Sequence, residues 1–219
     1  MAQIFPRWTN KIPLAVGVAT PVVLVGVVFA IWYWFSPKYT DVGYQPEQPV
    51  PFSHKLHAGT MGMDCRYCHN TVEEAAHAAI PPAATCMNCH ANLNLGDRDN
   101  RIQPIKDAFA GGPPVEWVRV HMLPDYAYFN HSVHLAAGVG CSSCHGRIDQ
   151  METVFQDQPL SMSWCLDCHR NPEPNLRPRD QITNMAWFDS PEAAAYDPNT
   201  DPTRTRAVAP PEHCSGCHR

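Results

Sequence analysis

Residues 12–35 run for 24 positions without a charged side chain and are rich in Val, Ile, Ala, Trp and Phe. Wound as a helix at about 1.5 Å per residue, that stretch is long enough to cross a hydrocarbon layer about 30 Å thick. Pro13 falls near its start, where proline is tolerated, and Pro21 in its interior predicts a kink. Trp32, Tyr33, Trp34 and Phe35 gather at the outgoing end, where amphipathic rings prefer the headgroup layer. A cleaved signal peptide has a shorter apolar region that ends in small residues. The expectation is therefore an uncleaved single-pass anchor over 12–35, preceded by a cytoplasmic N-terminus over 1–11. Arg7 and Lys11 ahead of the span against Lys38 behind it place the rest of the chain on the periplasmic side of the plasma (inner) membrane.

Beyond the anchor no hydrophobic period is sustained. Gly, Asn and most of the 22 prolines break the chain into short pieces, which predicts a mostly irregular and α-helical fold with almost no sheet. Residues 36–51, with Pro46, Pro49 and Pro51, read as a linker. A repeat organises the remainder of the chain: Phe52-Ser53-His54-Lys55-Leu56-His57 recurs as Phe129-Asn130-His131-Ser132-Val133-His134. The Gly111-Gly112-Pro113-Pro114 junction separates a first module, 46–112, from a second, 113–219.

Cysteine usage gives the modules their chemistry. All ten cysteines fall in five copies of Cys-x-x-Cys-His: Cys65/Cys68/His69, Cys86/Cys89/His90, Cys141/Cys144/His145, Cys165/Cys168/His169 and Cys214/Cys217/His218. One Cys-x-x-Cys is compatible with half a zinc site or a redox dithiol, and ten cysteines with five disulfides, but none of these requires a histidine directly after the second cysteine five times over. The pattern is that of c-type haem attachment, with two thioethers to the porphyrin and the adjoining imidazole as proximal iron ligand. Five covalently bound haem c groups are expected, two in the first module and three in the second. With about 35 residues per motif after the anchor, much of the buried apolar surface is expected from the porphyrins themselves.

Seven histidines remain for the distal positions: His54, His57, His77, His121, His131, His134 and His213. The repeated pairs His54/His57 and His131/His134 are the foremost candidates, since imidazoles three residues apart share one face of a helical turn and can reach two neighbouring irons. His77 and His121 come next, and His213 abuts the last motif. Met162, three residues before Cys165, is a candidate thioether ligand, although methionine more often fills a core.

The Phe-x-His-x-x-His unit ahead of haem motifs resembles the class III cytochromes c. The stretches Ile80-Pro81-Pro82, Thr85-Cys86-Met87-Asn88-Cys89-His90, Arg119-Val120-His121-Met122-Leu123-Pro124-Asp125-Tyr126 and Leu160-Ser161-Met162-Ser163-Trp164-Cys165 resemble the pentahaem subunits of bacterial alternative complex III over nearly the whole chain. That resemblance implies an electron carrier, not itself an enzyme. Electrons would come from quinol-binding membrane subunits through an iron–sulfur/molybdopterin-like subunit and pass to a monohaem cytochrome c or a terminal oxidase. Two other readings remain. A multihaem reductase needs an open axial position, against which the histidine surplus argues. A stand-alone tetrahaem-type quinol dehydrogenase has a methionine three residues after its first motif, where Val72 stands here. A formal net charge of −5 excludes a strongly basic nucleic-acid binder.

Overall fold

Unbroken apolar sequence forms the longest helix. In the computed structural model, which describes residues 4–204 and 207–218 and not the side chain of Asp97, a 3₁₀ turn at Arg7–Lys11 leads into α1 (Ile12–Trp34). Pro13 occupies the first turn, where its missing N–H is not needed, and α1 continues through Pro21. Leu14, Val22, Val25 and Phe29 are exposed around it and none of its residues is buried. Such a helix, apolar on every side, is long and apolar enough to cross a membrane. After it, Ser36 and Pro37 start the single turn α2 (Pro37–Thr40), and Tyr39 packs against Tyr33 and Trp34 with ring centres 5.9 and 6.4 Å apart. These elements make one unit, ending at Asp41; residues from Val42 onward make a second.

The second unit is built from short helices: α3 (Cys65–Cys68), α4 (Ala83–His90), α5 (Gln103–Phe109), α6 (His131–Ala136), α7 (Ser142–His145), α8 (Met162–Arg170), α9 (Pro191–Ala195) and α10 (Cys214–Cys217). Polar N-caps start several of them. The side chains of Asp64, Asn130, Ser161 and Ser190 accept from the backbone N–H groups of Arg66, Ser132, Trp164 and Ala193, satisfying donors a helix start leaves free. Among the described residues no strand forms, and only isolated bridges join Ala127 to His218 and Val139 to Leu176.

Apolar packing is thin. Among the described residues nine hydrophobic ones are buried, and of these Val72, Leu135 and Ile182 gather into a cluster, with Ala78 and Cys141 against it. That is too little for a conventional core in a unit of this length, and hydrogen bonds between distant segments carry much of the organisation. Residues 44–51, expected as a linker, are tied along this unit: Tyr44 accepts from the Gln156 N–H, and the Gln45 and Gln48 amides donate to the carbonyls of Thr153 and Val118. A π-helical turn at Lys55–Thr60 lies against Ile148–Gln150 so closely that a Cβ on Gly59 would fall 2.1 Å from the Asp149 carbonyl oxygen.

Candidate haem-binding site

Each Cys-x-x-Cys-His motif lies on a helical turn. Backbone N–H groups of His69, His145 and His218 donate to the carbonyls of Cys65, Cys141 and Cys214. One turn thus brings both thiols of a motif to one face and points the histidine after them. All ten cysteines are free thiols. Burial raises Cys144, to about 12, and also Cys68, Cys86, Cys165 and Cys168. Cys65 alone is lowered, by its hydrogen bond with Cys141. A redox dithiol needs a depressed, accessible thiolate, and burial works against one at Cys68, Cys86, Cys144, Cys165 and Cys168.

The two copies of the Phe-x-His-x-x-His unit repeat the same ring contacts, the first on a π-helical turn and the second on α6. Phe52 meets His54 edge-on at 4.8 Å and stacks on His57 at 4.4 Å; Phe129 meets His131 and His134 at 4.7 and 4.5 Å. In each copy the second histidine donates from Nδ1 to a carbonyl four residues back, Ser53 for His57 at 2.8 Å and Asn130 for His134 at 2.7 Å. Its ring then stands 6.2 Å from a proximal histidine, His57 from His90 and His134 from His169. Two metal–imidazole bonds of about 2.0 Å, with ~1.1 Å from each nitrogen to its ring centre, add up to about 6.2 Å. These spacings fit one iron between each pair of rings.

Around the first and third motifs five histidines share one neighbourhood. His131 stands 6.4 Å from His145 with ring planes 9° apart, again an iron-sized separation. His54 is an electrostatic neighbour of His69. His121 lies edge-on to His145 at 4.4 Å, too close for a metal between them, and its Nε2 is buried without a partner. His77 and His213 are exposed. Met162 is 61% exposed at the start of α8, whereas Met151 is buried.

Nitrogen chemistry is consistent with ligation through Nε2. The Nδ1 atoms of His57, His69, His131, His134, His169 and His218 each bond a backbone carbonyl, those of Ser53, Ala79, Ala76, Asn130, Pro211 and Tyr126. A proton fixed on Nδ1 leaves the Nε2 lone pair for a metal. Burial lowers His145 to about 3 and His54 to about 4, and it also lowers His90, His121, His131 and His134. All are held neutral at physiological pH, the form that binds iron.

Electrostatic neighbours among the thiols give the motifs an order that chain order does not: Cys65 couples to Cys141, Cys68 to Cys86, Cys144 to Cys165 and Cys168, and Cys165 to Cys217. The sequence of neighbours is second, first, third, fourth, fifth. The two cysteines classed as exposed, Cys89 and Cys214, belong to the second and fifth motifs.

Sequence reasoning passed over Arg177, the largest fully buried side chain described, which bonds the two serines inside the third motif. Nothing in the local Leu176-Arg177-Pro178 sequence signals that burial. The arginines beside the motifs are paired with acids: Arg147 with Asp149 and Asp189, and Arg170 with Glu212. Arg219 lies outside the described residues.

Paired thiols on single turns and imidazoles facing each other across an iron's width define a multihaem c-type cytochrome. Comparison agrees: residues 61–219 match the outer membrane cytochrome MtrC/MtrF-like, domains II/IV family, and the chain belongs to that family. It is also 33% identical, over 168 residues covering 68% of this chain and 78% of its relative, to the menaquinone reductase multihaem cytochrome c subunit of Nitratidesulfovibrio vulgaris.

Proposed function

We propose that this chain is the pentahaem electron-transfer subunit of a membrane quinol-oxidising respiratory complex of the alternative complex III type, with a class III-like haem domain. The observation that carries the reading is the continuous line of neighbouring attachment sites. Bound haem supplies reversible one-electron chemistry at iron. The protein positions it: His57 with His90, His134 with His169, His131 with His145 and His54 with His69 hold four sites at both axial positions. Met162, an exposed thioether one turn before Cys165, whose neighbour is Cys217, is assigned to the fifth. His121 then stands as a buried partner of His145, and His77 as a surface residue. With both axial positions filled, substrates are kept off the irons, as suits a carrier better than a reductase.

The line ends at the second and fifth sites, where Cys89 and Cys214 are exposed, and these ends are assigned to electron entry and exit. Partners are an iron–sulfur/molybdopterin-like subunit and quinol-binding membrane subunits on one side, and a monohaem cytochrome c or terminal oxidase on the other. Helix α1 anchors the chain in the plasma membrane, with the two-haem and three-haem modules in the periplasm. The relative's name, a menaquinone reductase subunit, favours a second reading in which electrons run toward the quinone pool.

Gentle detergent extraction, native separation and mass spectrometry test the assignment. Co-migration with an iron–sulfur subunit and polytopic membrane subunits is expected, and migration alone overturns it. In the isolated complex, rapid haem reduction by added menaquinol supports quinol oxidation; no reduction by quinol, with haem oxidation by added menaquinone, supports the second reading.

A further inference from the structure

Arg177 is completely enclosed, at 0% exposure. Nη1 donates to the Asn184 carbonyl at 2.9 Å, and Nη2 reaches the hydroxyls of Ser142 at 3.1 Å and Ser143 at 3.5 Å. Those serines are the two variable positions of Cys141-Ser142-Ser143-Cys144-His145. Phe188 covers the guanidinium at 4.4 Å, and a Cβ on Gly140 would fall 1.9 Å from its central carbon, so any side chain before Cys141 would displace the guanidinium. Nε is buried without a hydrogen-bond partner. Every other buried or half-buried arginine near the motifs has an acid; among the described residues no carboxylate forms an ion pair with Arg177.

A buried cation without a counter-charge is unfavourable unless something nearby gains from it. Arg177 interacts electrostatically with Cys141 and Cys144, the attachment points of the third site. A bis-imidazole ferric centre carries one more positive charge than the ferrous one, so a fixed cation beside it in a low-dielectric interior disfavours the ferric form. The geometry points to Arg177 as the residue that raises the reduction potential of the third haem, the middle of the line of five, through a buried charge that no carboxylate among the described residues pairs with. The step it biases is the uptake of one electron by ferric iron, with no bond made or broken and no proton moved. Arg177 bonds the serines between the two attachment cysteines; it is a tuning residue that also clamps the motif's turn.

This inference rests on the five-haem reading, and the test separates the two. Holoprotein variants R177M and R177K, and independently S143D and S143N, are titrated spectroelectrochemically after haem quantification. R177M is expected to lower one of five one-electron components by tenfold or more in its reduction equilibrium, about 59 mV, while R177K leaves that component in place. S143D, which sets a carboxylate beside the guanidinium, lowers the same component, and S143N does not. Should R177M fail to load, the Ser143 pair decides. Five haems with no component moved in S143D, or R177K displaced as far as R177M, overturns the inference alone. A wild-type count other than five overturns the reading beneath it as well.

Discussion

Replacing His134 by alanine tests the central geometry, because the neighbouring histidine of the same pair is engaged elsewhere. The His134 ring faces His169 at 6.2 Å, with Nδ1 bonded to the Asn130 carbonyl and its face against Phe129. His131, one turn earlier, bonds Ala76 through Nδ1 and stands 6.4 Å from His145, so it cannot serve both sites. Loss of the aromatic contact costs about 0.5–1.5 kcal/mol and loss of the hydrogen bond about 1 kcal/mol. Together these are about 2 kcal/mol, below the 5–15 kcal/mol typical of a folded domain, so the variant stays folded and spectroscopy reports ligation. On the proposed five-haem assignment one site in five would lose an axial ligand, so about a fifth of the low-spin ferric EPR intensity is expected to become high-spin and bind cyanide. H77A, at an exposed position, changes nothing. A low-spin spectrum from H134A indistinguishable from wild type, with full haem loading, refutes the pairing of His134 with His169.

G59A drives a Cβ into the Asp149 carbonyl oxygen and is expected to destabilise the haem unit by about 1–3 kcal/mol, read as a lower urea midpoint at unchanged slope. M162A is expected to abolish the near-red charge-transfer absorption of a methionine–iron bond and leave four haems spectrally intact; retention of that band in M162A excludes Met162. Asp201 is held at about 2 by hydrogen bonds from Thr203 and Tyr196, with Arg204 beside it. A depressed carboxylate stabilises above its ordinary value near 3.8 and loses that contribution as pH falls toward 2. Limited proteolysis of the 190–204 segment is therefore expected to accelerate from pH 4 to 2 in wild type, and D201N to be cleaved faster at pH 7 with a flatter acid dependence.

Much of the site is legible because its determinants are local. Cys-x-x-Cys-His needs one helical turn, and Phe-x-His-x-x-His needs one turn and a ring to lean on; both copies reproduce the same distances because the same few residues fix them. The free histidines were less legible. His121 and His77 have no local signature separating a ligand from a neighbour, and their different fates depend on what packs against them: His121 is placed beside His145, and His77 is left at the surface. Residues 44–51 looked like a linker because proline and polar residues dominate them. Their hydrogen bonds go to segments around Val118, Thr153 and Gln156, which no local reading supplies.

The apolar helix, the lack of strands among the described residues, the helical turns at the Cys-x-x-Cys-His motifs and the repeated histidine pairs follow from side-chain spacing along a few consecutive residues of the sequence itself. Only the tertiary structure decided which imidazoles face each other, that the motifs neighbour one another in the order second, first, third, fourth, fifth, and that Arg177 is sealed against the third. Those outcomes depend on contacts between residues far apart in the chain, where the cost of closing loops and the fit of thinly packed segments choose among arrangements that local chemistry leaves equivalent.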